Sequence, residues 1–258
     1  MKSSNFVLPA KPEKDWNETV RDVLNHEIDA ENRDPSLWCL RKLEEKNGQA
    51  ELFEACQAKG LEIDRLKAIN GKALDEQAQK AEERRIQELI ESPRSLEKQE
   101  REQQEDAEQA RRLLKLIPQA FEFREDGTQG DRVTLKFSPN PRFHPWGHEA
   151  RVFHHMEGTL ILDAKQERLA EINGRLTSEV KFGGGLLGHL DEGGTFVVKQ
   201  KEIGAGQWEV TMLDVNMHGK ALFFKTIGVQ QKEMDSDFEE LPASETIRQA
   251  AEMTKVRN

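Results

Sequence analysis

The feature that most constrains this chain is a change of hydrophobic period at Pro118. Before it, Ala110, Leu113, Leu114 and Ile117 recur at i, i+3, i+4 and i+7, the spacing of one helical stripe, and the proline is expected to stop that helix. After it the period falls to two, first at Phe121 and Phe123 and then at Val133, Leu135 and Phe137. From Ala170 onward Ile172, Leu176, Val180 and Phe182 continue it, with Glu171, Asn173, Arg175 and Lys181 between them. Alternation of this kind buries one face of a strand and wets the other. Further strands are predicted at Gly158–Asp163, Thr195–Ile203, Gln207–Asn216 and Lys220–Gln231, punctuated by Gly193-Gly194, Gly204-Ala205-Gly206 and His218-Gly219. Successive strands joined by tight turns form an antiparallel meander rather than a Rossmann sheet.

Upstream the signals differ. Val20, Val23, Leu24 and Ile28 give one amphipathic helix within residues 12–30. Residues 37–70 are ambiguous, because Glu, Lys, Ala and Leu favour helix while Asn47-Gly48 and Lys59-Gly60 are turn signals. With 33% charged and only 36% hydrophobic residues, some of the chain must be strongly solvated, and residues 75–117 supply that part: Glu, Gln, Lys, Arg and Ala with few large apolar side chains. Ser92-Pro93 divides this stretch into two helices. The expectation is a single α+β domain over 1–258: a helix, strands at 37–70, charged helices as lid or flank, a meander over 119–240 forming a curved sheet or incomplete barrel, and a C-terminal helix or tail over 243–258.

The chemistry is sparse. A net charge of -10 and a pI near 5.4 argue against nucleic acid, whose binding needs clustered Lys and Arg. No apolar run is long enough for a membrane-spanning helix, and the segment Met1 to Pro9 has no apolar signal-peptide core. Phe182-Gly183-Gly184-Gly185-Leu186-Leu187-Gly188 lacks the Lys-Ser or Lys-Thr of a phosphate loop and reads as a sharp inter-strand connection. His144, His148, His154 and His155 are close in sequence, but Pro145 and Gly147 prevent a shared helical face and adjacent strand residues point apart. No serine or cysteine occupies a nucleophile motif. No catalytic residue, metal or cofactor is therefore assigned, and a non-enzymatic role is expected.

From Arg65-Leu66-Lys67-Ala68-Ile69-Asn70-Gly71 onward the chain resembles a family of uncharacterised proteins found in Acidobacteria, usually made with a secretory leader. The resemblance rests on Ala107-Glu108-Gln109-Ala110-Arg111-Arg112, Phe137-Ser138-Pro139-Asn140-Pro141, Met156-Glu157-Gly158-Thr159-Leu160, the glycine-rich connection, Gly219 to Ile227, and Ser236-Asp237-Phe238. The strand meander with its helices is also similar, at the level of fold alone, to the lipoprotein-carrier superfamily, in which an incomplete barrel surrounds an apolar cavity under a helical lid. The resemblance implies a periplasmic or secreted protein, whereas the visible N-terminus leaves the cytoplasm open. It also implies strands at Trp38 to Glu45 and Ala50 to Ala58.

Given those strands, counting outward from Asn47-Gly48 pairs Lys46 with Gln49, Leu43 with Leu52, Arg41 with Glu54 and Cys39 with Cys56. The cysteines then occupy a non-hydrogen-bonded pair able to form a disulfide in an oxidising compartment. The expected function is carriage of an apolar ligand, a lipid or acyl chain, on the concave face of the sheet. Leu135, Phe137, Ile172, Leu176, Val180, Phe196, Val198, Trp208, Val210, Met212, Phe224 and Thr226 are the candidate lining. The alternatives are an envelope module with a filled core that binds a protein partner and, third, a hydrolase.

Overall fold

The computed structural model describes residues 14–33, 37–46, 48–144, 147, 149–182, 188–204, 206–221, 230–242 and 245–257. Helix α1 (Trp16–Arg33) leads into strands β1 (Leu37–Lys46), β2 (Gln49–Ala58), β3 (Leu61–Ile69) and β4 (Lys72–Ala73). Helices α2 (Glu76–Glu91) and α3 (Pro93–Ala120) connect these to β5 (Phe121–Gln129) and β6 (Arg132–Pro139). A 3₁₀ turn (Glu149–His155) precedes β7 (Met156–Asp163), β8 (Arg168–Leu176), β9 (Val180–Phe182) and β10 (Gly188–Leu190). Then come β11 (Thr195–Gly204), β12 (Gln207–Asn216), β13 (Gly219–Ala221), β14 (Gln230–Leu241) and α4 (Ile247–Val256).

Eleven strands form one antiparallel sheet in the order β4-β3-β2-β1-β14-β12-β11-β8-β7-β6-β5, and the sheet is not closed into a barrel. It is made of two meanders, β1 to β4 and β5 to β8 continued by β11 and β12, which β14 joins by returning to lie between β12 and β1. Strands β13, β10 and β9 make a separate small sheet.

Strand wins over helix propensity in residues 37–69 because both faces are covered. Trp38, Cys39 and Leu40 are buried in succession, which one amphipathic helix cannot achieve. The face of Cys39, Cys56 and Ile63 is covered by Ala250 and Ala251 of α4 and Ile86 of α2. In the other half, Val20, Val23 and Leu24 of α1 and Ile117 and Ala120 of α3 cover the opposite face, burying Phe121, Leu135, Phe137, Leu160 and Leu176 in the main core.

Three sequence expectations need correction. Pro118 does not stop α3, which runs on to Ala120. The proline lacks one N–H, but buried Ile117 and Ala120 anchor the last turn, and Asn17 Nδ2 donates to the Pro118 carbonyl at 2.9 Å. The run from Ala170 to Phe182 is two strands, interrupted at residues 177–179, where the Thr177 N–H turns to the His155 carbonyl. Of the strand expected at Lys220–Gln231 only the ends are described, and they lie in different sheets, Lys220 in β13 and Gln230 in β14, which runs on to Leu241, while residues 222–229 lie outside the described residues.

Both edges of the open sheet are capped by side chains from helices. On β3, Glu82 accepts from the Leu66 N–H at 2.8 Å, Arg85 donates to the Asp64 carbonyl at 2.5 Å, and Gln99 donates to the Glu62 carbonyl at 2.9 Å. On β5, Asn17 donates to the Phe121 carbonyl at 2.6 Å and accepts from the Phe123 N–H at 3.3 Å. Helix α3, at 28 residues about 42 Å long, therefore begins beside one edge and ends at the other.

Candidate functional site

The residues that alternation marked as a lining are distributed by the fold. Leu135, Ile172, Leu176 and Val180 lie in the main core, at most 8% exposed, with half-buried Val198 packed against them. They fill the space they were expected to surround. Trp208 is buried elsewhere, its Nε1 donating to Gln166 Oε1 at 2.7 Å and its ring flanked by Arg132 and Arg168. Val210 is exposed, and Phe224 and Thr226 lie outside the described residues. Phe137 and Phe196 also pack in that core, and together with Met212 they line a depression that opens on the other face.

That depression, about 950 Å³, lies across β5, β6, β7, β8, β11 and β12 on the face that α1 and α3 leave open. Its floor is made of short side chains: Ser138, Thr159, Asn173, Thr195 and Val197. A glycine pair lies beneath it. One cross-strand row runs Phe123, Phe137, Gly158, Gly174, Phe196, Val215. A Cβ on Gly158 would meet the Asn173 carbonyl at 2.0 Å and the Phe137 ring at 2.8 Å, and one on Gly174 would meet the Phe196 ring at 2.6 Å. The two rings occupy, from the core side, the volume that two side chains would need, so the floor is backbone backed by aromatic carbon.

The walls are charged and largely neutralised in pairs. Arg175 meets Glu157 at 2.6 Å, Lys199 meets Glu171 at 3.2 Å, and Lys136 meets Asp126 at 2.5 Å. Arg124 stands directly across from Lys136 and has no partner among the described residues. From Met212 an apolar row leaves the depression through directly paired Met234, Leu43 and Leu52, all half-buried. At the usual strand spacing this row is about 14 Å long.

Half of the row was legible, since the hairpin register pairs Leu43 with Leu52, but Met212 and Met234 join them only when β14 inserts between the two meanders. The charged wall residues were legible as a wet face, but not as a wall around a low floor.

The cysteines and histidines form no reactive site among the described residues. The cysteines are joined in a disulfide, Cα atoms 4.1 Å apart, fully buried under α4 and in the register counted from the turn. His155 Nδ1 lies 2.7 Å from Ser178 Oγ, and burial, with the charge of His154, holds this imidazole below its usual range. His144 Nδ1 faces the Arg142 carbonyl at 2.8 Å, while His148 and the connection 183–187 lie outside the described residues. Among the described residues no group of three or more His, Cys, Asp or Glu side chains is placed to hold a metal ion. No described helix is long and apolar enough to cross a membrane. No family model, curated protein or solved structure matches the chain.

Proposed function

We propose that this is a non-catalytic binding protein that takes an apolar or amphipathic ligand, a lipid or acyl chain, on the open sheet face rather than inside the fold. The observation that carries the reading is the continuity between the depression and the row Met212, Met234, Leu43, Leu52. A volume of about 950 Å³ suits a small ligand, a floor of Val197 and aromatic-backed glycines suits apolar contact, and unpartnered Arg124 at the rim suits an anionic head group. In this reading α2 and α3 flank an incomplete barrel rather than close it, in keeping with the lipoprotein-carrier resemblance. A periplasmic or secreted location fits the same reading, because a disulfide such as Cys39–Cys56 persists in oxidising compartments.

Titration of the folded protein with a fluorescent fatty acid tests the proposal. Saturable binding that Val197→Glu and Met234→Glu each weaken at least tenfold is expected, the charge having to be desolvated against the ligand. Absence of saturable binding would transfer the open face to the second reading, a protein-binding module, which the filled core favours.

A further inference from the structure

Strands β1 and β14 form the seam between the two meanders, and the seam carries an unbalanced set of charges on the face away from α4. Lys42 and Glu44 of β1 pair directly with Asp235 and Glu233 of β14. Lys42 reaches over fully buried Ala55 of β2 to β3, where Nζ bonds Glu62 and stands 3.6 Å from Asp64. Five carboxylates thus surround one ammonium. Among the described residues the packed helices compensate little: Arg85 of α2 donates to the Asp64 main chain and also acts on its carboxylate, but is held by Glu82, and Gln99 of α3 donates to the Glu62 main chain. One oxygen of Asp64 and one of Asp235 are buried without a hydrogen-bond partner. The position is mechanically exposed too, because the pairing of β14 with β12 runs from Asn216↔Gln230 to Met212↔Met234, one residue before Asp235, after which β1 alone holds β14 in the sheet.

We propose that this cluster is a proton-operated joint, closed while its carboxyls retain protons and loosened along β14 from Asp235 onward when they lose them. Partial burial, with 37% of the side chain still exposed, and the charge of Glu62 push Asp64 up to about 7 against the opposing pull of Lys42. Burial and the charge of Glu233 push Asp235 up to about 7, again opposed by Lys42. Glu233 itself is raised by burial, while Lys42 holds Glu62 below its usual range although burial acts the other way. Since an unfolded aspartate titrates near ~3.9, the folded state holds the extra protons between about pH 4 and pH 7. The stabilisation is present at the acidic end of that window and is lost as pH rises through 7.

Two measurements decide the matter. Hydrogen exchange of residues 235–241, corrected for the intrinsic rate, should show an opening constant that rises between pH 5 and 7 by up to about tenfold per pH unit for each linked proton. In Asp64→Asn/Asp235→Asn that dependence should flatten, with slower opening than the parent at pH 8. Carboxyl NMR titration of the unmodified protein should find two aspartates titrating near neutrality, a readout that stands even if the variant fails to fold. Parallel pH profiles in parent and variant, or every aspartate titrating near 4, would overturn the joint.

Discussion

Glu27 of α1 and Arg168 of β8 form a two-pronged ion pair inside the protein, with N–O distances of 2.9 and 2.7 Å and each side chain only 9% exposed. Glu27 also accepts from the Leu169 N–H at 2.6 Å, so one carboxylate fixes both the guanidinium and the start of the strand. Removing one partner of a buried pair leaves the other charge without compensation. Glu27→Ala should therefore destabilise the fold by about 3–5 kcal/mol in urea unfolding. A loss below about 1 kcal/mol would mean that water reaches the pair and solvates Arg168.

The glycine pair makes a sharper test, because the obstacle is backbone. Gly158→Ala places a Cβ 2.0 Å from the Asn173 carbonyl and 2.6 Å from Gly174 Cα, so the strands must part. A loss of about 3 kcal/mol or more is expected from such overpacking. Gly127, where nothing lies within 4 Å of an added Cβ, is the control, and its alanine variant should fall within about 0.5 kcal/mol of the parent. Equal melting curves for the two variants would count against the close approach of β7 and β8.

Asn17 stands in for a twelfth strand at the β5 edge, since its one amide satisfies both the Phe121 carbonyl and the Phe123 N–H. Asn17→Ala should lower stability by about 1–3 kcal/mol through the groups left unpaired. It should also raise the concentration dependence of light scattering, because an uncovered edge recruits other chains. A stable, monodisperse variant would show that water replaces the amide without consequence.

The disulfide closes a loop with a sequence separation of 17, for which chain-entropy reasoning gives about 3 kcal/mol. Cys39→Ala/Cys56→Ala should lose roughly that amount. Both sulfurs lie under Ala250 of α4, so reduction of the folded protein should be slow and should accelerate when α4 is loosened by Ala250→Glu. Mass spectrometry after timed exposure to a thiol reads both rates. Equally fast reduction in parent and variant would mean that α4 gives no cover.

The sequence by itself determined the local geometry: the helical stripe of Val20, Val23 and Leu24, the two-residue period from Phe121, and the hairpin register once strands were granted between 38 and 58. These follow from periodicity and turn chemistry, which act over a few residues. Only the tertiary structure decided that β14 lies beside β1, across nearly 200 residues of chain, and so placed Met234 beside Leu43 and Asp235 beside Lys42. It also decided which side of the sheet was filled. Alternation separates a buried face from a wet one, but whether the buried face surrounds a cavity depends on what α1 and α3 deliver to it. Here they bring Val20, Leu24 and Ile117 into contact with Leu135 and Leu176, so that side is filled, and the open volume falls on the polar side.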